Sequence, residues 1–318
     1  MENDDIKIQG LDAILLKGDD VETFLQGQIT NDIKILEKEN QAIYAGYCSP
    51  KGRLIAFFLI IKVWDNYFLL CPTSISDEIS KKLSMYILRS KVLLEKTPEN
   101  TSYFSFYGDT KAEEEFKKIW GDVPYPKKIM ETVQHPKTPT TKGLLSITKL
   151  PEEKGRFLVL GENKSIRMIH DEIFSNSDKI DSTSWHASDI EAKIPNIFNE
   201  TQDKFIPQSL NLDLIDAVNF KKGCYTGQEI VARTHYLGKP KRRMYLGSIK
   251  TNKPLKLADE ILVEGDKVGQ IINFYKNGEN HYRILFETLI EKINLDLKIS
   301  GNIIDVTKKE KILFKVDS

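Results

Sequence analysis

Apolar and polar residues fall into short blocks that change period along the chain. Ala13 to Leu16 is apolar and reads as a strand turned by Gly18, after which Asp19 or Asp20 can cap a helix to about Gln26. Leu54 to Val63 and Tyr67 to Cys71 are apolar on either side of Asp65-Asn66, which predicts a hairpin. Pro72 opens a predicted helix over Asp77 to Arg89, with Ile79, Leu83, Tyr86 and Ile87 on one face, and Val92 to Glu95 returns as a strand. Two strands, a helix and a strand predict an α+β layer. Further strands are expected at Tyr103 to Tyr107, Leu144 to Thr148 and Phe157 to Leu160, with helices near Lys111 to Trp120 and Ser165 to Phe174. Gly121 to Lys142, which holds four prolines, reads as loop.

Beyond Arg243 the runs shorten and become β-rich, punctuated by Glu264-Gly265-Asp266, Asn277-Gly278 and Ser300-Gly301-Asn302. Asn-Gly is the strongest short hairpin signal. Lys241 to Ser318 therefore reads as a small antiparallel barrel or jelly roll. Lys239, Lys241, Arg242 and Arg243 cluster at its entrance, where a solvated linker and a phosphate or RNA contact are both open readings.

Composition narrows the function classes. At 318 residues the chain predicts two or three domains. Lys+Arg and Asp+Glu are both 46, which argues against a dedicated nucleic-acid or membrane-surface binder. The three cysteines, Cys48, Cys71 and Cys224, are too far apart for a disulfide framework or a metal-site spacing, and no two of the five histidines are spaced like zinc ligands. Met1 to Asp5 is acidic, unlike a signal or transit peptide, and the longest apolar run is about half a membrane span. A cytoplasmic protein is expected.

The candidate chemistry centres on Lys221-Lys222-Gly223-Cys224-Tyr225-Thr226-Gly227-Gln228-Glu229, followed by Ile230-Val231-Ala232-Arg233. Thr226 and Glu229 have the spacing of a capping box, which predicts a helix with Thr226 as N-cap. A helix N-terminus and neighbouring lysines favour a thiolate at Cys224. A buried structural cysteine between turn glycines is the alternative.

This block resembles the signature of the YgfZ family, which is similar to the folate-binding T-protein of the glycine cleavage system and includes a mitochondrial iron–sulfur assembly factor. Gly18 to Asp32, Cys48 to Leu54, Asp189 to Pro195 and Phe205 to Gln208 resemble further family blocks in the same order. The resemblance implies an α+β, three-domain T-protein-like ring with ferredoxin-like layers and a C-terminal antiparallel β-barrel. It places residues 1–50 and 101–240 in a discontinuous folate-binding domain, 51–100 in an inserted ferredoxin-like domain and 241–318 in the barrel. It implies a bound tetrahydrofolate or other reduced folate, with Trp185 at one folate-associated tryptophan position and Leu11 where the family carries a second. Lys222, Cys224 and Arg233 become the expected working surface, shaped by Gly223, Tyr225, Thr226, Gly227, Gln228 and Glu229.

Two departures separate the chain from true T-proteins. The strand after Gly52-Arg53 reads Leu54-Ile55-Ala56-Phe57, without the carboxylate that assists aminomethyl transfer. After Leu160 the chain reads Gly161-Glu162-Asn163-Lys164, without the T-protein motif. The implied function is a folate-binding accessory protein, expected as a monomer, that supports iron–sulfur cluster assembly or repair in client enzymes. Its partners would be those clients or assembly proteins, with no direct nucleic-acid or membrane contact, and tRNA thiolation would be affected indirectly. A folate-dependent aminomethyltransferase is the alternative, and a hydrolase using Cys224 with His186 or His235 comes third.

Overall fold

The computed structural model describes residues 6–38, 40–96, 98–108, 114, 123–135, 144–152, 155–174, 179–180 and 182–307. The expected helix at 111–120 lies outside the described residues apart from Glu114. The chain forms two compact units. One comprises Met1–Leu25, Ile33–Tyr44 and Phe58–Trp185, the other Gln26–Asp32, Ala45–Phe57 and His186–Ser318.

A five-stranded sheet uses β1 (Leu11–Lys17), β2 (Ile43–Cys48), β3 (Leu54–Val63), β4 (Asn66–Pro72) and β5 (Leu93–Lys96) in the order β2-β3-β4-β1-β5. Its strands are antiparallel from β3 through β5. Nearly every residue of β1, β2 and β4 is buried, so their apolar runs are continuous rather than alternating. The short helices α1 (Val21–Gln26) and α2 (Ile35–Lys38) and the longer α3 (Thr73–Ile87) accompany these strands. The hairpin expected after Leu54 is present, but its two-residue turn is Trp64-Asp65, because Asn66 already pairs with Val63. Helix α3 begins directly after Pro72, four residues earlier than predicted. Ile75, Ile79 and Leu83 are buried, whereas Tyr86 is exposed and has left that face. Asp20 does not cap α1 through its side chain: its carboxylate accepts from the Lys91 N–H instead.

The second sheet, also of five strands, has the order β10-β6-β9-β8-β7. Its members are β6 (Thr101–Tyr107), β7 (Thr132–Gln134), β8 (Leu145–Leu150), β9 (Arg156–Glu162) and β10 (Lys179–Ile180). Helix α4 (Asn163–Phe174) packs on it through Ile166 and Ile169 against Phe104, Phe106, Ile147 and Val159. Helix α5 (Ser182–Glu191) follows β10.

The second unit ends in a closed barrel, order β11-β14-β13-β12-β15-β16. The strands are β11 (Arg242–Lys250), β12 (Glu260–Val263), β13 (Asp266–Lys276), β14 (His281–Leu289), β15 (Lys298–Ile299) and β16 (Asn302–Val306). Closure leaves no free sheet edge, and Ile261, Ile271, Ile284, Phe286 and Leu297 fill the interior. Turn chemistry set these hairpins. Glu264-Gly265 and Ser300-Gly301 are two-residue connections in which both residues take positive φ, as type I′ turns require. Before the barrel come two 3₁₀ turns, Asn199–Thr201 and Pro207–Leu210, and helix α6 (Gln228–Tyr236). No helix among the described residues is long and apolar enough to cross a membrane.

Candidate functional site

The Lys221–Glu229 block lies in the second unit and runs into the first residues of α6. Its fixed point is Lys222. The side chain is buried, and its Nζ donates to the carbonyl oxygens of Gln26 (2.8 Å), Ile29 (2.7 Å) and Asn31 (2.8 Å). An ammonium has three N–H donors, so the three acceptors match its capacity. Burial pushes the Lys222 amine down to about 8, against the opposing charge of Asp32. The same ammonium lies 5.2 Å from the centre of the buried Tyr225 ring, and burial pushes the Tyr225 hydroxyl upward.

The segment that supplies these carbonyls is itself pinned. Thr30 Oγ1 donates to the Ala217 carbonyl at 2.6 Å and accepts from the Gly46 N–H at 2.8 Å. Asn31 Nδ2 donates to the Asp216 carbonyl at 2.7 Å. Asn219 Oδ1 accepts from the N–H groups of Lys221 and Lys222, which turns the chain into the block. Blocks widely separated in sequence are thereby assembled around one lysine.

Helix α6 starts differently from its predicted capping box. Its N-cap is Gly227, at φ +81°, and no side chain caps it, so Thr226 does not hold that role. The reason is close packing. A Cβ on Gly227 would lie 2.4 Å from the Ser49 carbonyl oxygen and 2.9 Å from the Gly52 Cα, and one on Gly52 would lie 2.7 Å from the Ile230 Cβ. The turn at Ser49–Gly52 thus seats directly on the start of α6, which a capping hydroxyl at Thr226 does not dictate. Buried Gln208 donates from Nε2 to the Val231 carbonyl at 2.6 Å, tying the Phe205–Gln208 block to the same helix.

Cys224 is exposed, whereas Cys48 and Cys71 are buried. Burial pushes the Cys48 thiol up to about 12 and the Cys71 thiol higher still. A Cβ on Gly223 would meet nothing within 4 Å, so the backbone beside the exposed thiol is open. Arg233, on the exposed side of α6, lines a cleft of about 760 Å³. His235 stacks on Phe220, ring centres 3.7 Å apart.

The two residues at the family's folate-associated positions, Trp185 and Leu11, lie in the first unit, whereas His186 opens the last stretch of the second. Trp185, on α5, is 3% exposed, and the fully buried Arg156 guanidinium sits 4.5 Å over its ring. Leu11, on β1, is buried. Among the described residues no group of three or more His, Cys, Asp or Glu side chains is placed to hold a metal ion. Sequence reading missed the carbonyl cage, because its acceptors are backbone atoms with no residue signature. It also missed Arg53, Lys204 and Lys267 of the cleft, which come from three separate segments.

No protein-family model matches the chain. Among curated proteins, it is 30% identical over 232 residues to the tRNA-modifying protein YgfZ of Yersinia pestis (strain Pestoides F), spanning 73% of this chain and 67% of that one. The chain belongs to the YgfZ family. The YgfZ protein of Colwellia psychrerythraea is 27% identical over 278 residues, or 85% of this chain and 81% of that one. The fold has a counterpart in the glycine cleavage system aminomethyltransferase T of Bartonella henselae. That structure matches with a TM-score of 0.69 at 11% identity and covers 97% of this chain and 85% of its own. The YgfZ block and the T-protein-like fold with its terminal barrel thus coincide in one molecule.

Proposed function

We propose that this YgfZ-family chain is a tetrahydrofolate-binding accessory protein, acting in the cytoplasm, that supports iron–sulfur cluster assembly or repair in client enzymes. Changes in tRNA modification follow through those clients, in keeping with the name its curated relatives carry. The observation that carries the reading is the exposed Cys224 on a loop anchored by buried Lys222. A thiol held at the surface by a rigid support is suited to meeting a partner's cluster or cysteine, whereas a thiol kept for packing is buried.

The folate part rests on the family resemblance and fits the residues in part. Trp185 supplies an aromatic wall and Arg156 a cation, the two elements a pterin with an anionic tail requires. Both are buried, and the guanidinium already covers one face of the indole. Leu11 offers an apolar surface without stacking. The fold of an aminomethyltransferase favours a one-carbon transferase as the second reading. The first four residues of β3, Leu54 to Phe57, place no carboxylate where that chemistry needs a positioned acid or base.

Four measurements test the proposal. Tryptophan fluorescence should quench saturably with tetrahydrofolate, and Trp185→Ala should weaken binding by about 1–3 kcal/mol. Alkylation of the native protein should modify Cys224 well before Cys48 or Cys71. Cys224→Ser should fold normally yet fail to restore cluster-dependent activity in a knockout strain. Full complementation by Cys224→Ser removes the thiol from the mechanism, and formation of methylene-tetrahydrofolate from an aminomethyl-loaded lipoyl carrier at enzymatic rates selects the transferase.

A further inference from the structure

The cleft beside α6 is built from parts of the second unit that are distant in sequence. Seven basic side chains line it, Arg53, Lys204, Arg233, Lys239, Lys241, Arg242 and Lys267, against one carboxylate, Glu287. Arg242 is paired with Glu287 at 3.0 Å and Lys267 with Glu260 at 2.8 Å. The remaining five make no ion pair among the described residues. Arg53 donates only to a backbone carbonyl, that of Lys204, at 2.7 Å. Gathering five cations without an ion-pair partner into about 760 Å³ costs electrostatic energy that scattering them over the surface would avoid, and the nearby Glu287, already paired with Arg242, offsets only part of it at Arg53. The C-terminal end of α6, which reaches the same cleft, carries only about half a negative charge and cannot offset them.

A solvated linker explains Lys239 and Lys241 alone. It does not explain why Arg53, Lys204 and Arg233 are brought to the same place. The volume is that of a small-molecule site, about 300–1,000 Å³, and the side chain of Gln270 adds a neutral donor, while the Ser209 and Thr234 hydroxyls already donate to the Ile206 and Ile230 carbonyls. A nucleic-acid surface would extend as a basic stripe over a strongly positive domain, and this chain has formal zero charge. We infer that the cleft is a binding site for a compact oligoanion, a small ligand bearing several phosphate or carboxylate groups in a row. Arg53 and Arg233 provide planar forks for oxyanions, and the three lysines act as point charges along the ligand. The inference stands on this cleft and does not rest on the Cys224 or folate reading.

Isothermal titration of the full chain with inorganic tripolyphosphate and, separately, with an oligoglutamate peptide tests it. At least one probe should bind saturably with one site, and the tighter of the two identifies phosphate or carboxylate as the ligand's anion. Raising salt from about 50 to about 200 mM should weaken binding several-fold, because charge pairs at an open cleft are screened. Lys239→Gln/Lys241→Gln should raise Kd about tenfold or more, whereas Lys81→Gln, exposed on α3, should leave it within about twofold. Thermal melting checks that the double variant is folded, and Lys204→Gln replaces it otherwise. Binding of neither probe at millimolar concentration, binding of RNA alone, or unchanged Kd in a folded cleft variant overturns the inference. Cys224→Ser should bind both probes normally, so failure here is separable from failure in complementation.

Discussion

Two glycines four positions apart in the Cys224 block have opposite constraints. Gly227 takes a positive φ and its missing Cβ is where the Ser49 carbonyl lies, whereas Gly223 faces open space. Gly227→Ala should cost at least about 1–2 kcal/mol from backbone conformation alone, with the carbonyl clash added, and Gly223→Ala should fall within about 0.5 kcal/mol of wild type. Urea denaturation of the two variants checks the contrast, and similar losses at both positions would contradict the packing described. Lys222→Met removes the donor from three carbonyls, those of Ile29 and Asn31 buried and that of Gln26 half-buried, for an expected loss of about 2–4 kcal/mol. The pH dependence has a definite sign. The unfolded chain keeps this proton to about pH 10.4, while burial makes the folded chain release it near 8, so deprotonation between those values favours the folded state. The contribution of Lys222 to stability should rise with pH across that window, and the rise should be missing from Lys222→Met. The sequence marked Lys222, but as a cation beside a thiol. Its bonding was illegible because every partner is a main-chain atom 191–196 residues away.

Elements were read best where local chemistry decides them. The barrel hairpins follow from Asn-Gly, Glu-Gly and Ser-Gly pairs that permit positive φ, and α4 follows from its amphipathic spacing. Helix α5 escaped because Trp185, Ile190 and the small residues between them do not trace a helical stripe. Strand β2 escaped because all six of its residues are buried, which removes the alternation a half-buried strand displays. The entry to the barrel is secured by Arg243, whose guanidinium grips both Asp213 carboxylate oxygens at 2.5 and 2.9 Å and also donates to the Gln208 carbonyl. Lysine keeps the charge and loses the fork, so Arg243→Lys should destabilise by about 1–2 kcal/mol. Asp213→Ala should cost a similar amount, and the double variant less than the sum. Strict additivity in that double-mutant cycle would show that the fork contributes nothing as a pair.

At the scale of the molecule, the YgfZ resemblance supplied the T-protein-like architecture that block patterns alone left at the level of an α+β layer and a barrel. Sequence showed only the Lys239 to Arg243 part of the cationic cleft, since convergence of distant cations is a property of the fold. The second unit is assembled from three stretches of chain, the first of them only Gln26–Asp32. The carbonyls of Gln26, Ile29 and Asn31 leave the ribosome long before Lys222, a delay of about 10–40 s at ordinary elongation rates. During that interval water or a chaperone must satisfy them, and this unit completes its fold only late in translation. Chains that stop short of Lys222 should therefore be early substrates of quality-control proteases, even with every strand of the first two sheets already made.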